Sequence, residues 1–296
     1  MKRLIIILLL VLLLGGVGVS AFAYHTFCNR VDGNTFDADG VAIHYTDEGA
    51  GTPVILVHGF AVQGDLNWRR NGVVDALRPH FRVITLDLRG HGLSGKPHNT
   101  NAYGAEMAED VVRLMDHLEI EKAHVVGYSL GGFITLKLAS LHPDRLITAC
   151  PCGAGWETKK DSQFFAAIEP LAKRLEAGRG ITPPSGQMGA DRKKPGLGHT
   201  LIIRAVTRIF NDGKALAGVL RSAPGLEVTA DELTAIPVPM LTIIGTHDPL
   251  AVGVDNMEGR IPDHEIVRIE GATHLNLVRH PEFSGHLVRF LREHSE

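Results

Sequence analysis

The chain has 296 residues, 44% of them apolar and 21% charged, and a formal net charge of −3. That length accommodates one large α/β domain, or one domain with an insertion, and the composition is that of a globular protein, not a disordered one. A net negative charge without a basic stripe excludes nucleic acid as an expected partner.

Residues 1–23 read as separate from the fold. Lys2 and Arg3 form a short positive region, Leu4 to Leu14 is an unbroken apolar run, and Ala21-Phe22-Ala23 is an A-x-A signature. That is the layout of a secretory signal peptide cleaved after Ala23. An uncleaved anchor also fits, because Leu4 to Ala23 is 20 residues without a charge, enough to attach the protein to a membrane through residues 4–23. Either reading puts the folded part outside the cytoplasm: exported to the periplasm or medium, or held at the membrane surface. Cys28 lacks the run of small residues directly before it that a lipid-modified cysteine needs.

Three cysteines, Cys28, Cys150 and Cys152, do not make a disulfide framework. Cys150 and Cys152 flank one proline, too close for an unstrained bridge. Small buried thiols near a strand end are expected. A strained Cys150–Cys152 bridge, or one to Cys28, is the alternative that an oxidising compartment permits.

Next comes a hairpin from Asn34 to Glu48, with Asp39-Gly40 as its turn and Val41, Ile43 and Tyr45 alternating with smaller or polar residues. Half-exposed alternation of this kind suits a sheet edge. Apolar runs then alternate with amphipathic stretches. The strands are Val54–Val57, Phe81–Leu86, Ala123–Tyr128 and Leu146–Ala149. The helices are near Val73–Arg78, within Tyr103–Leu118 and over Leu130–Leu141. Strand and helix in alternation predict a mostly parallel, doubly wound sheet with helices on both faces. The rhythm stops near Gly153 and returns at Met240–Gly245 and Glu265–Ile269, with a closing helix from Glu282 to about His294. Between lie an amphipathic helix over Glu157–Glu176, a loop rich in Gly, Pro and charge from Gly178 to Gly198, and helical segments from Thr200 to Leu220. The expected organisation is a core formed by residues 34–152 and 237–296, with an α-helical insertion at 153–236. Of the insertion's apolar residues, Phe164, Phe165, Ile168 and Phe210 either line a pocket or pack, and packing is the ordinary fate of such side chains.

One stretch carries the chemistry. Val125-Val126-Gly127-Tyr128-Ser129-Leu130-Gly131-Gly132 reads as a buried strand turning sharply into a helix with Ser129 at the turn, a G-x-S-x-G pattern. A side chain at the tip of such a turn crowds the neighbouring backbone, and glycines two residues away on either side remove the Cβ clash. With 33 glycines and nine serines, such a pattern arises by chance on the order of 0.1 times per chain. The motif therefore depends on what surrounds it.

The surroundings supply the remaining groups at carboxyl strand ends, where ligands gather in an open parallel sheet. His58-Gly59-Phe60 follows the first buried strand. Gly59 is expected to let the backbone bend so that the Phe60 N–H, with the Leu130 N–H, faces a developing oxyanion. His58 is expected to brace that loop. Asp248 follows Met240–Gly245 and His274 follows the last strand, giving the order Ser129, Asp248, His274. A serine hydroxyl needs a base, here His274, and an acid to fix its tautomer, here Asp248. Sixteen histidines make position the deciding argument. His247, beside Asp248, reads as a solvated neighbour. The other place for an acid, Cys150 to Trp156, holds no carboxylate.

On these residues, together with Asp87-Leu88-Arg89-Gly90-His91-Gly92-Leu93-Ser94, the chain resembles the α/β-hydrolase fold serine hydrolases of the esterase and cofactor-free peroxidase-like branch. The likeness runs from about Thr35 to the end, outside the insertion. It implies Ser129, Asp248 and His274 as catalytic residues and Phe60 and Leu130 as the oxyanion hole. His58, Gly59, Gly127, Tyr128 and Gly131 would shape the site. The Asp87–Ser94 segment would brace it without doing chemistry. The insertion would be the family's helical cap, which determines substrate. Ser129, where epoxide-opening and halide-displacing relatives carry aspartate, argues against both of those reactions.

The expected activity is hydrolysis of a small-molecule carboxylic ester through an acyl-enzyme. Lactone, amide and carbon–carbon bond hydrolysis are open to the same three residues, and a non-catalytic binding protein on this fold is the rival from another class. No metal and no organic cofactor is expected, because no His/Cys cluster has ligand spacing and no G-x-G-x-x-G follows a strand. The sequence gives no reading of the oligomeric state.

Overall fold

The computed structural model describes residues 31, 33–157, 163–180 and 212–295, with side chains in the third segment from Ala166 onward. The leader at residues 1–23, Cys28, Phe210, the side chains of Phe164 and Phe165, and most of the Gly178–Gly198 loop lie outside the described residues.

Eight strands form one sheet: β1 (Asn34–Ala38), β2 (Val41–Gly49), β3 (Pro53–Val57), β4 (Arg82–Leu86), β5 (Ala123–Tyr128), β6 (Leu146–Cys152), β7 (Met240–Gly245) and β8 (His264–Ile269). Their spatial order is β1-β2-β4-β3-β5-β6-β7-β8. β1 pairs antiparallel with β2 and β2 antiparallel with β4, while every other pairing is parallel. The predicted hairpin is the sheet edge, and its turn has Asp39 and Gly40 at φ 56° and 79°, the left-handed pair of a tight hairpin turn.

The helices are α1 (Val73–Leu77), α2 (Glu106–His117), α3 (Leu130–Leu141), α4 (Gln163–Glu176), α5 (Gly213–Ser222), α6 (Ala230–Thr234), α7 (Ala251–Asp255) and α8 (Pro281–Glu293). Side-chain alternation along the strands divides the core into two layers. Ile55, Val57 and Val125 face the layer that holds Met107, Val111 and Ile134 of α2 and α3. Val54, Leu56 and Val126 face the opposite layer, with Val73, Val74 and Leu77 of α1 and Phe283, Leu287 and Phe290 of α8. Strands buried on both sides need apolar residues at consecutive positions, which is why β3 reads as a continuous hydrophobic run and β5 and β7 carry the apolar pairs Val125-Val126 and Ile243-Ile244.

The helices α4, α5 and α6 lie in the chain between β6 and β7. Ile168, Ala172 and Leu175 pack with Leu216, Ala217 and Leu220 into a small core of their own, against which Phe60 and Ala61 also pack. Ile168 is thus a packing residue. Arg221 of α5 ties Glu169 and Glu176 of α4 across the outside. One boundary differs from expectation. The helix predicted from Glu157 begins, among described residues, at Gln163, and Trp156 before it donates its indole N–H to the Val228 carbonyl at 2.7 Å. Of the segment predicted helical from Thr200 to Leu220, residues 200–211 lie outside the described residues, and Asp212 caps α5 by accepting from the Lys214 and Ala215 N–H groups.

Candidate active site

The serine turn is built as its glycines require. Ser129 sits between β5 and α3 with φ 54° and ψ −113°, a conformation that costs a non-glycine residue energy and persists only when its surroundings enforce it. The Ser129 N–H donates to the Cys152 carbonyl at 2.9 Å, and its own carbonyl accepts from Gly132 and Phe133 to start the helix. A Cβ at position 127 would lie 2.0 Å from the Gly131 carbonyl oxygen, and one at position 131 would lie 2.1 Å from that of Val57. Only glycine lets strand, turn and helix close this tightly.

The turn delivers the hydroxyl to His274. His274 Nε2 stands 2.9 Å from Ser129 Oγ, and His274 Nδ1 stands 2.8 Å from Asp248 Oδ2. The carboxylate accepts at Oδ2, so the ring carries its proton on Nδ1 and presents a lone pair on Nε2 to the serine. Asp248 is 4% exposed, and its second oxygen accepts from the Leu250 N–H at 2.9 Å. Both loops are held independently of the ring. The His247 N–H donates to the Ala272 carbonyl at 2.9 Å, joining the Asp248 loop to the His274 loop, and Asn276 Oδ1 accepts from the Thr273 N–H at 2.7 Å. His247 itself is exposed, so its backbone serves the site while its ring faces solvent.

Tyr128, which the sequence marks only by its place in the motif, reaches the same loop. Its hydroxyl donates to the His274 backbone carbonyl, and its ring stacks on the imidazole with centroids 5.4 Å apart and planes at 28°. Burial pushes the phenol well above its ordinary value, which keeps it a neutral donor.

On the other side of Ser129 lies the His58-Gly59-Phe60 loop. His58 is fully buried; its Nδ1–H donates to the Gly59 carbonyl at 2.7 Å and its Nε2 accepts from the Leu88 N–H at 3.0 Å. Both ring nitrogens are satisfied in the neutral form, and burial lowers its basicity. His58 braces the loop. The left-handed conformation in this loop belongs to Ala61 at φ 57°, not to Gly59. A Cβ on Gly59 would sit 3.3 Å from the Tyr128 carbonyl oxygen and 3.4 Å from Ser129 Cβ, a tight fit beside the serine. The Gly59 N–H donates to Asn67 Oδ1 at 3.2 Å, a contact that no periodicity in the sequence announces. Leu130 is the first residue of α3, where an N–H has no partner within its helix.

The Asp87–Ser94 segment packs beneath this loop. Asp87 accepts from the Gly64 and Leu93 N–H groups at 2.9 and 2.8 Å, and these bonds with the neighbouring His44 hold its carboxyl well below the usual range. Arg89 forms a buried two-pronged ion pair with Asp110 of α2. His91 is fully buried edge-on to His58 and Phe60, and burial pushes it down to about 3. None of these polar groups touches Ser129.

Cys150 and Cys152 are free, buried thiols on β6, and burial raises both above the ordinary thiol range, Cys152 to about 12. Among the described residues no group of three or more His, Cys, Asp or Glu side chains could hold a metal ion, and no helix is long and apolar enough to cross a membrane.

A family model described as alpha/beta hydrolase fold matches residues 52–281. A dihydrolipoyllysine-residue acetyltransferase component of the acetoin cleaving system from Pseudomonas putida is 31% identical over 254 residues, which are 82% of this chain and 64% of that protein. The chain therefore spans just under two thirds of that relative's length. A pimeloyl-[acyl-carrier protein] methyl ester esterase from Aeromonas hydrophila is 27% identical over 79% of this chain and 92% of its own. Among solved structures, a thermophilic esterase from Thermogutta terrifontis aligns with TM-score 0.70 and 25% identity, over 90% of this chain and all of the other.

Proposed function

The chain belongs to the alpha/beta hydrolase fold family, and we propose that within it the protein is a serine hydrolase that cleaves carboxylic esters through an acyl-enzyme. The observation that carries this reading is the unbroken hydrogen-bonded chain Ser129–His274–Asp248.

As an ester carbonyl approaches, Ser129 Oγ forms a bond to its carbon while the hydroxyl proton passes to His274 Nε2. Asp248 stabilises the imidazolium through Nδ1–H and keeps the ring in the productive tautomer. The carbonyl oxygen gains the negative charge, which the N–H groups of Phe60 and Leu130 receive beside the positive end of α3. His274 returns its proton to the departing alcohol, and water then repeats the sequence in reverse on the acyl-Ser129 ester. No step calls for a metal or a redox group.

The insertion between β6 and β7 is read as a cap that limits which acyl groups enter, supported by the packing of Phe60 and Ala61 of the oxyanion loop against its core. Esterase relatives similar over most of their length support an ester substrate. The leader pattern supports work outside the cytoplasm, with residues 1–23 as cleaved signal or anchor. A fluorophosphonate probe tests the central reading: covalent labelling mapped to Ser129 is expected. Folded protein that stays unlabelled would favour a binding role instead.

A further inference from the structure

The geometry points to Tyr128 as a positioning residue for the base, one that steadies the His274 loop through its hydroxyl and supports the charged imidazole through its ring. This rests on the reading of His274 as the proton acceptor.

Three contacts define the role. The Tyr128 hydroxyl donates to the backbone carbonyl of His274 itself, so the residue next to the nucleophile tethers the main chain that carries the base. The ring stacks on the imidazole with planes at 28° and 5.4 Å between centroids. The ring is itself locked: Trp68 packs edge-on at 6.4 Å, and a Cβ on Gly153 would come within 2.6 Å of it. Tyr128 is 7% exposed, so these contacts are desolvated.

The physical consequence differs from ordinary packing. An aromatic face within about 6 Å of a cation attracts it through the ring quadrupole, and more strongly where water is excluded. His274 is neutral before attack and charged at the transition state, so the ring favours the transition state over the ground state, which raises kcat and leaves substrate binding alone. The groups that face the imidazole are Asp248 at Nδ1, Ser129 Oγ at Nε2 and the Tyr128 ring; Cys152 lies near Tyr128 and is kept neutral by burial. Asp248 supplies the counter-charge at one edge, and Tyr128 supplies the face. The tether matters because proton transfer needs the nitrogen held within hydrogen-bond reach of the hydroxyl, and small misplacements cost rate steeply.

Two variants separate the parts in the full-length protein with a p-nitrophenyl ester. Tyr128→Phe keeps the ring and loses the tether; kcat should fall about tenfold with KM unchanged within a factor of two. Tyr128→Leu loses both; kcat should fall about a further tenfold, and the acid limb of the kcat/KM profile should move about half a pH unit lower, because the protonated base has lost its support. Fluorophosphonate labelling of Ser129 should slow in the same order. If both variants keep kcat within twofold of the parent, or if the loss in Tyr128→Leu appears only in KM with an unmoved pH profile, the role is overturned. Should Tyr128→Leu not fold, Tyr128→Phe alone decides, and an unchanged kcat there rejects the proposal. Ser129→Ala run alongside distinguishes the two levels: if it retains turnover, the serine hydrolase reading has failed, not this one.

Discussion

Ser129 Oγ and His274 Nε2 lie 2.9 Å apart although 145 residues separate them in the chain. The contact exists because β5 and β8 end on the same edge of one sheet, and because the turns after both strands are fixed by backbone hydrogen bonds that do not involve the two side chains. A site prepared in this way reorganises little during reaction, which is how electrostatic stabilisation becomes large.

In the proposed mechanism Asp248 holds the imidazole tautomer, so its replacement should damage catalysis more than structure. Asp248→Asn retains an oxygen for the Leu250 N–H but offers Nδ1 an amide that can favour the wrong tautomer; kcat should fall by about 10³–10⁴. Steady-state kinetics on a p-nitrophenyl ester check this, with thermal melting to confirm the fold. A variant with kcat near that of the parent would remove Asp248 from the role.

Glycine replacements should have opposite signs at two sites. Gly131→Ala would set a methyl 2.1 Å from the Val57 carbonyl oxygen, and backbone cannot yield cheaply; a loss of more than about 3 kcal/mol, or failure to fold, is expected. Gly285 is exposed within α8 and a Cβ there meets nothing within 4 Å. Gly285→Ala should stabilise by about 0.5–1 kcal/mol through helix propensity. Urea titrations of both variants decide, and equal effects would contradict the packing described for the serine turn.

How much of this was legible in the sequence depends on the range of the cause. β5, the serine turn and α3 were readable to the residue, because strand burial, glycine sterics and helix period are local signals. The order Ser129, Asp248, His274 was readable because parallel strands put successive loops on one edge. The edge hairpin followed from Asp39-Gly40 and alternation. What stayed hidden was contact between distant segments. Asn67 holding the Gly59 N–H comes from a five-residue π-helical turn at Asp65–Arg69 that has no period to announce it. The Tyr128 tether to His274 and the Arg89–Asp110 ion pair each join elements that only the folded sheet brings together.

Stability should fall on mild acidification. Burial lowers His91 to about 3, and His124 and His264 to about 4, while an unfolded histidine titrates near ~6.5. Between those values the unfolded chain binds more protons than the folded one, so stability is complete above ~6.5 and is lost progressively as pH falls below it. For His91 alone the loss at pH 5 is about 2 kcal/mol. Urea midpoints at pH 8 and pH 5 should differ accordingly, and His91→Gln should shrink the difference by about that amount. A pH-independent midpoint across this window would contradict the buried neutral histidines.

The most direct measurement is turnover of a p-nitrophenyl ester by the Ser129→Ala variant, made alongside the parent with matched melting curves. If Ser129 is the nucleophile, kcat/KM should fall by at least about 10⁴-fold while the variant melts like the parent. A folded Ser129→Ala protein that turns the ester over at the parental rate would contradict the assignment.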